Sequence, residues 1–357
     1  MIRSLTKHLD IQALKNNYDY MRQICTSAKV VAVIKSEAYG HGLLRVAKAL
    51  EHADGLAVAC VSEGIALRRA GVTQKIIVLQ GGHELQDIEL ARTYNLTLVV
   101  HCQRQISGMQ QSNCQGIECW IKFDTGMHRL GFDWSQHETV ISEILKLRGL
   151  ASPPVLMSHF CCADSDEAHT RMQLQKFEEL CACYEKEGVQ ASIANSAAAL
   201  SLSESHKDWV RVGLAVYGVT AKNSLSKHKK NLKPVMHLTA PVIAIRDFEK
   251  GDRLGYNGEY VCAKKTRAAI IGTGYGDGYP WHAASGTPVW VSGKRCRIAG
   301  HISMDMITVD ATGVDLVVGD NAELWGEHIA VSEVAEHAST IPYELLCSVS
   351  STATTLI

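Results

Sequence analysis

Lys35 directly follows the apolar run Val30-Val31-Ala32-Val33-Ile34 and opens the segment Lys35-Ser36-Glu37-Ala38-Tyr39-Gly40-His41-Gly42. An ammonium at the end of a buried strand loses hydration, and unless it gains a counter-charge its pKa falls. A neutral amine of this kind can form a Schiff base with a carbonyl, the usual anchor for pyridoxal phosphate. The same placement also suits a lysine whose amine reaches solvent past the strand end. Tyr39 and the Gly40-His41-Gly42 turn favour the first reading.

Other polar residues fall at comparable points. Lys122 stands near the end of the stretch Glu118–Phe123 and Asp124 follows it, His159 follows Val155–Ser158, Asn195-Ser196 follows Ala191–Ala194, and Arg211 lies within Val210–Ala215. Each has an ordinary structural role open to it. Ser196 could simply cap the Ala-rich helix after it, although a helix N-terminus also presents free N–H groups to phosphate. Arg211 could pair with a surface carboxylate, Lys122 with Asp124, and His159 could be a satisfied core histidine. Their shared position at strand ends is what selects them, because reacting groups gather at the C-terminal ends of the strands of a parallel barrel.

The elements that would hold these residues follow from hydrophobic rhythm. From about residue 10 to 215, short apolar runs alternate with amphipathic stretches, as in repeated β-α units. Eight runs read as strands: those named above, together with Leu56–Cys60, Lys75–Gln80 and Thr97–Val100. Helices are expected over Ile11–Thr26, Leu43–His52, Ser62–Ala70, Gln136–Leu147, Asp166–Glu187 and Ala197–Ser203. Eight strands suggest a closed (β/α)8 barrel, and an open doubly wound sheet would show the same alternation. After about residue 230 apolar runs separated by Gly, Pro and charged turns predict a compact mainly-β domain. The expected division is residues 1–230 and 231–357, joined by the lysine-rich stretch Lys222–Lys233.

Composition narrows the class. With 46% hydrophobic residues and a formal net charge of −1, the 357-residue chain can bury a large core and has no electrostatic bias toward nucleic acid or anionic membrane. Twelve cysteines are scattered without paired metal spacing; Cys161-Cys162 with Cys181 and Cys183 comes nearest and offers no evident ligand set, so no metal is expected. The stretch Met1–Lys7 has no apolar signal-peptide core, and no later run is long enough to span a bilayer, which predicts a cytoplasmic protein.

Read as Val-x-Lys-x-x-Ala-Tyr-Gly-His-Gly, the Lys35 segment resembles the cofactor-lysine motif of the alanine racemases, with Glu37 where that family normally has Asn. Similar matches run nearly end to end: Lys122-Phe123-Asp124-Thr125-Gly126-Met127-His128-Arg129-Leu130-Gly131, Arg211-Val212-Gly213-Leu214-Ala215-Val216-Tyr217-Gly218, Arg253-Leu254-Gly255-Tyr256-Asn257-Gly258, Gly274–Pro280 and Gly300–Asp305. His128 stands where Gly is common. The resemblance implies a pyridoxal 5'-phosphate enzyme of fold type III, a homodimer with shared active sites acting on alanine. It implies that Lys35 holds the cofactor and serves as base on the D-alanine face, and that Tyr256 of another chain serves the L-alanine face. Tyr39 belongs to the same implied site, His159 packs on the ring, and Asn195 adjoins Ser196. Ser196 with the N–H groups of Gly213 and Leu214 grips phosphate, and Arg211 keeps the pyridine nitrogen unprotonated.

Arg129 is implied to lie near the tyrosine and the substrate carboxylate, Met304 and Asp305 in the carboxylate-binding wall, and Tyr275 in the entry corridor. Lys122 corresponds to a lysine that can be carbamylated. Arg129 and His159 are the cations expected to favour an ionised Tyr256. Many relatives continue past Ile341–Ser348 into an Arg-Val-Pro segment, and some carry a phosphate-binding tyrosine before it; here Ser351-Thr352-Ala353-Thr354-Thr355 stands instead. Three other readings share parts of this pattern. One is a racemase of broader specificity acting on serine or another small amino acid. Another is a non-catalytic single-barrel cofactor-binding protein, against which Tyr256 and the second domain argue. The last is a basic-amino-acid decarboxylase, whose glycine-rich phosphate loop is not evident.

Overall fold

The computed structural model describes residues 5–112, 114–147, 149–220, 228, 230–349 and 353–356. The strands in chain order begin with β1 (Thr6–Leu9), β2 (Lys29–Val33), β3 (Gly55–Val58), β4 (Ile76–Val78) and β5 (Thr97–Val100). They continue with β6 (Cys119–Lys122), β7 (Val155–Met157), β8 (Ala191–Ser192) and β9 (Trp209–Val212). Strands β2 to β9 form one parallel sheet in the order β8-β7-β6-β5-β4-β3-β2-β9. The backbone N–H of Arg211 on β9 donates to Ala194 O just past β8, at 3.0 Å, which brings the two ends of the sheet together. This is the (β/α)8 barrel, and the open doubly wound alternative is excluded.

The apolar runs read as strands are strands because both their faces are covered; Val30, Val31, Ala32 and Ile34 are fully buried. Six expected helices are present, and two more, Leu85–Thr93 and Gln103–Gln111, lie between β4, β5 and β6. Their sequences, LQDIELART and QRQISGMQQ, are too polar to show a broad apolar stripe.

The second sheet is antiparallel in its main ladder and built around β10 (Met236–Phe248), with β11 (Arg253–Leu254) and β12 (Tyr260–Val261) as a side hairpin. It continues with β13 (Thr266–Ile271), β14 (Pro288–Val291), β15 (Lys294–Ile298), β16 (Ile307–Asp310) and β17 (Asn321–Trp325). β10 is long enough to pair with β17 along its first half and with β13 along its second, a register shift between Val242 and Ala244 turning it from one to the other. The sheet β10-β13-β16-β15-β14-β17 thereby returns to β10. β1 joins this second sheet, antiparallel to β10, and β18 (Thr354–Leu356) adds parallel to β1. Two helices, Val331–His337 and Pro342–Ser348, complete the β domain. Of the expected linker, residues 222–227 and 229 lie outside the described residues. Among the described residues no helix is long and apolar enough to cross a membrane.

Candidate active site

Lys35 leaves β2 into a turn of unusual hand. Ser36, Glu37, Ala38 and Tyr39 all have φ between 51° and 54°, four successive non-glycine residues in the left-handed region. Each such residue costs about 1–2 kcal/mol, so the turn stores on the order of 4–8 kcal/mol that its surroundings must offset. Several bonds hold it. The N–H of Ser36 donates to Glu63 Oε1 at 2.8 Å, Lys7 Nζ donates to Gly40 O at 2.9 Å, and His41 Nδ1 lies 3.0 and 2.9 Å from the carbonyls of Ala38 and Tyr39. Glu37, the departure from the family's Asn, accepts the N–H of Leu43 at 3.2 Å and so ties the turn to the next helix. The amine of Lys35 is pulled below the usual lysine range by burial and then by Arg129, with Glu63 and Cys347 opposing.

A group of cations converges near it. Arg211 is 3% exposed; its guanidinium donates to Ser192 Oγ at 2.6 Å, Ser158 O at 2.7 Å, Ile193 O at 3.2 Å and His159 Nδ1 at 3.0 Å. Burial draws Arg211 down to about 9, so it stays charged at neutral pH. No ion pair among the described residues includes it, which removes the surface-carboxylate reading. Because guanidinium can only donate, His159 Nδ1 accepts, and the proton of the imidazole sits on Nε2. Burial, then Arg211, Lys122, Arg129 and Lys35, hold His159 well below its usual range. The expectation that His159 supplies positive charge is therefore corrected: it accepts from Arg211 and is held toward its neutral form, which leaves Arg129 as the cation of the expected pair.

Lys122 is buried at the end of β6 and is lowered to about 8 by burial, then Arg211 and Arg129, against Asp124. The alternative Lys122–Asp124 pair is not among the ion pairs of the described residues. Asp124 instead accepts the N–H groups of Gly126 and Met127 at 2.8 and 2.9 Å and faces His128 at 3.3 Å. Those bonds shape the loop that presents Arg129, which is exposed.

The donors expected around a phosphate meet on the other side. Asn195, not Ser196, caps the helix Ser196–Ser201, accepting Ala198 N–H at 3.1 Å, while its Nδ2 donates to Phe160 O at 3.3 Å. The Ser196 hydroxyl is thus spared from capping and accepts Gly213 N–H at 2.9 Å and Ala215 N–H at 3.4 Å. A Cβ on Gly213 would stand 2.8 Å from the Tyr39 hydroxyl, so only glycine lets the Tyr39, Ser196 and Gly213 donors close up. Leu214 opens a 3-10 turn, where first-turn N–H groups lack helical partners. An amine held toward neutrality, a donor-only arginine and this small-residue donor cradle fit pyridoxal phosphate.

In the second domain Tyr256 is 68% exposed, and Tyr275, Met304 and Asp305 are also exposed. The N–H groups of Tyr275 and Gly276 donate to Ser303 O and Met304 O at 3.1 and 2.9 Å, which joins the expected corridor and carboxylate segments. Tyr275 also borders a cleft of about 890 Å³ with Ser36, Glu37, Glu63 and Cys347 of its own chain. Within one chain the structure brings Lys35, Lys122, Arg129, His159 and Arg211 together; no contact among the described residues joins Tyr256 to them. Three participants were not foreseen. Glu63 and Cys347 act on Lys35, and Tyr343 packs edge-on to Tyr39 at 5.6 Å. All three arrive from remote segments, and Tyr343 lies in the Ile341–Ser348 stretch already singled out. Ser351 and Thr352 lie outside the described residues; Thr354 and Thr355 belong to β18.

Comparison with known proteins agrees over the whole fold. Residues 9–221 match the family model for the alanine racemase N-terminal domain, and residues 235–357 match that for the C-terminal domain. The chain is 42% identical over 338 residues to an alanine racemase of Shewanella sp. (strain ANA-3), covering 94% of this chain and 93% of that one. With an alanine racemase of Thioalkalivibrio sulfidiphilus it shares 43% identity over 354 residues, covering 98% and 97%. The crystal structure of biosynthetic alanine racemase from Pseudomonas aeruginosa superposes with a TM-score of 0.93 at 35% identity, covering 99% of each chain.

Proposed function

The chain belongs to the alanine racemase family, and from that premise we propose that it interconverts L- and D-alanine with pyridoxal 5'-phosphate and two opposed acid/base groups, Lys35 and Tyr256. The observation that carries the reading is Lys35 itself: an amine at a barrel strand end, pushed toward its neutral form by burial and by Arg129. The cofactor, when bound, supplies a carbonyl carbon for the amino group and an electron sink that acidifies the Cα–H bond.

The protein's own groups do the rest. Lys35 takes or returns the Cα proton on the D-alanine face, and Tyr256 of a second chain does so on the L-alanine face. Ser196, Gly213, Leu214 and Tyr39 grip the phosphate, neutral His159 packs on the ring, and Asn195 fixes the strand end beside it. Arg211 offers the ring nitrogen only donors, which disfavours a proton there and favours prompt return of the Cα proton. Arg129, Met304 and Asp305 bind the substrate carboxylate, with Tyr275 in the corridor. Carbamylation of Lys122 would place an anion among Lys35, Arg129 and Arg211, and its lowered amine supports that reaction, since only the neutral amine adds to carbon dioxide. The working unit is a homodimer of chains divided near residue 230. Supply of D-alanine for peptidoglycan is the role proposed, supported by the biosynthetic designation of the Pseudomonas aeruginosa relative; alanine catabolism would use the same site.

The test is incubation of the purified holoenzyme with L-alanine in deuterated buffer. D-alanine carrying deuterium at Cα is expected, and absence of both racemisation and exchange would overturn the proposal. Tyr256→Phe is expected to slow racemisation in both directions by on the order of 10²–10⁴-fold; near wild-type rates would remove Tyr256 from its role.

A further inference from the structure

The loop after β7 carries two adjacent thiols, Cys161 and Cys162, and the first turn of the helix Glu167–Cys183 brings His169 beside them. Their sulfurs are 3.3 Å apart, and both sulfurs and an imidazole nitrogen lie within 4.8 Å of one another. Two thiolates on a tetrahedral zinc ion, with Zn–S near 2.3 Å, stand about 3.8 Å apart, so these side chains need shift only slightly to share one ion. We propose that Cys161, Cys162 and His169 form a binding site for a thiophilic d10 cation, with Zn2+ as its test case.

The sequence alone offers no ligand set here, and no metal is expected from it. Cys181 and Cys183 are not in the group; His169 is, because the Asp166 side chain accepts the His169 N–H at 3.0 Å and starts the helix there. Burial, then the neighbouring Cys162, push the Cys161 thiol up to about 11, so its proton must leave on coordination. Two Zn–S bonds form, two S–H protons go to solvent, and neutral imidazole gives its lone pair. The fourth position is left to water. A disulfide is the less fitting product, since consecutive Cα atoms are about 3.8 Å apart, closer than the roughly 4.4–6.8 Å that disulfides span.

The position gives the ion leverage on the site described above. Buried Gln173 accepts the Cys161 N–H at 3.1 Å and its S–H at 3.3 Å, and donates to His159 O at 3.2 Å. His169 Nε2 lies 3.4 Å from Gly126 O, in the loop that presents Arg129. Coordination removes the Cys161 S–H that Gln173 accepts and engages the His169 ring that rests against Gly126 O. The effect on turnover rests on the racemase reading; binding itself does not.

The experiment uses the holoenzyme, reduced with a phosphine, and titrates Zn2+ by calorimetry in buffers of different ionisation enthalpy. One ion per chain is expected, with about two protons released. Cys161→Ser/Cys162→Ser is expected to weaken binding by more than the roughly 100-fold that loss of an outer partner costs, and His169→Gln to weaken it less. Co2+ should show tetrahedral ligand-field bands in wild type and lose them in the double variant. Zn2+ should inhibit the wild type and spare the double variant, whose activity without metal stays near wild type. No saturable binding, or equal affinity in the double variant, overturns the site. Equal inhibition of both proteins overturns the link to turnover.

Discussion

His41 is a single side chain that braces the turn after Lys35. Its Nδ1–H is shared between Ala38 O and Tyr39 O, and its ring stacks on Tyr217 at 4.5 Å. The buried Nε2 has no partner among the described residues. Burial holds the imidazole down at about 4, so it is neutral in the folded protein at every ordinary pH. The unfolded chain binds a proton there below about 6.5. Stability is therefore complete above that value and falls as pH drops toward 4, by about 3 kcal/mol in all. Denaturant midpoints of His41→Gln at pH 7 and pH 4.5 should show a lower starting stability but a shallower acid loss than wild type; an identical acid loss would refute the assignment. The residue types at the strand ends were legible because a charged group after an apolar run stands out. The charge state of His159 was not, since it depends on a guanidinium arriving from β9.

At the level of elements, the left-handed turn is the feature the sequence conceals. Nothing in Ser36-Glu37-Ala38-Tyr39 marks four positive φ values; the conformation is held by Lys7 and Glu63 from remote segments and by His41 and Gly40 directly after the turn. The barrel strands, by contrast, could be read directly, because burial on both faces leaves continuous apolar runs. Ser36→Gly removes about 1–2 kcal/mol of left-handed cost and adds about 0.5–1 kcal/mol of unfolded-state entropy. A small rise in Tm is expected, and a fall would mean that the turn is not strained at Ser36. Gly40→Ala tests the opposite case. Gly40 has φ 78°, and a Cβ there would collide with the carbonyl of Leu346 on the helix Pro342–Ser348. A loss of about 2 kcal/mol or more is expected, with weakened cofactor retention, read by thermal unfolding and cofactor absorbance.

On the scale of the whole molecule, the two sheets are tied by the path of the chain, since β1 precedes the barrel yet pairs with β10. That tie was hidden in the sequence, where residues 6–9 are too short a run to announce a partner more than two hundred residues away. It fixes the β domain against its own barrel, and in this arrangement Tyr256 stays 68% exposed and apart from Lys35. If the phenol that opposes Lys35 belongs to a second chain, each site of a dimer takes Lys35 from one protomer and Tyr256 from the other. Mixed dimers of Lys35→Ala and Tyr256→Phe chains then contain one site with both lesions and one with neither. Refolding the two inactive variants together in equal amounts should restore about a quarter of wild-type racemisation, because about half the dimers are mixed and each has one sound site. A site completed within a single chain would leave every mixed dimer defective at both positions, and activity would stay at the level of the separate variants.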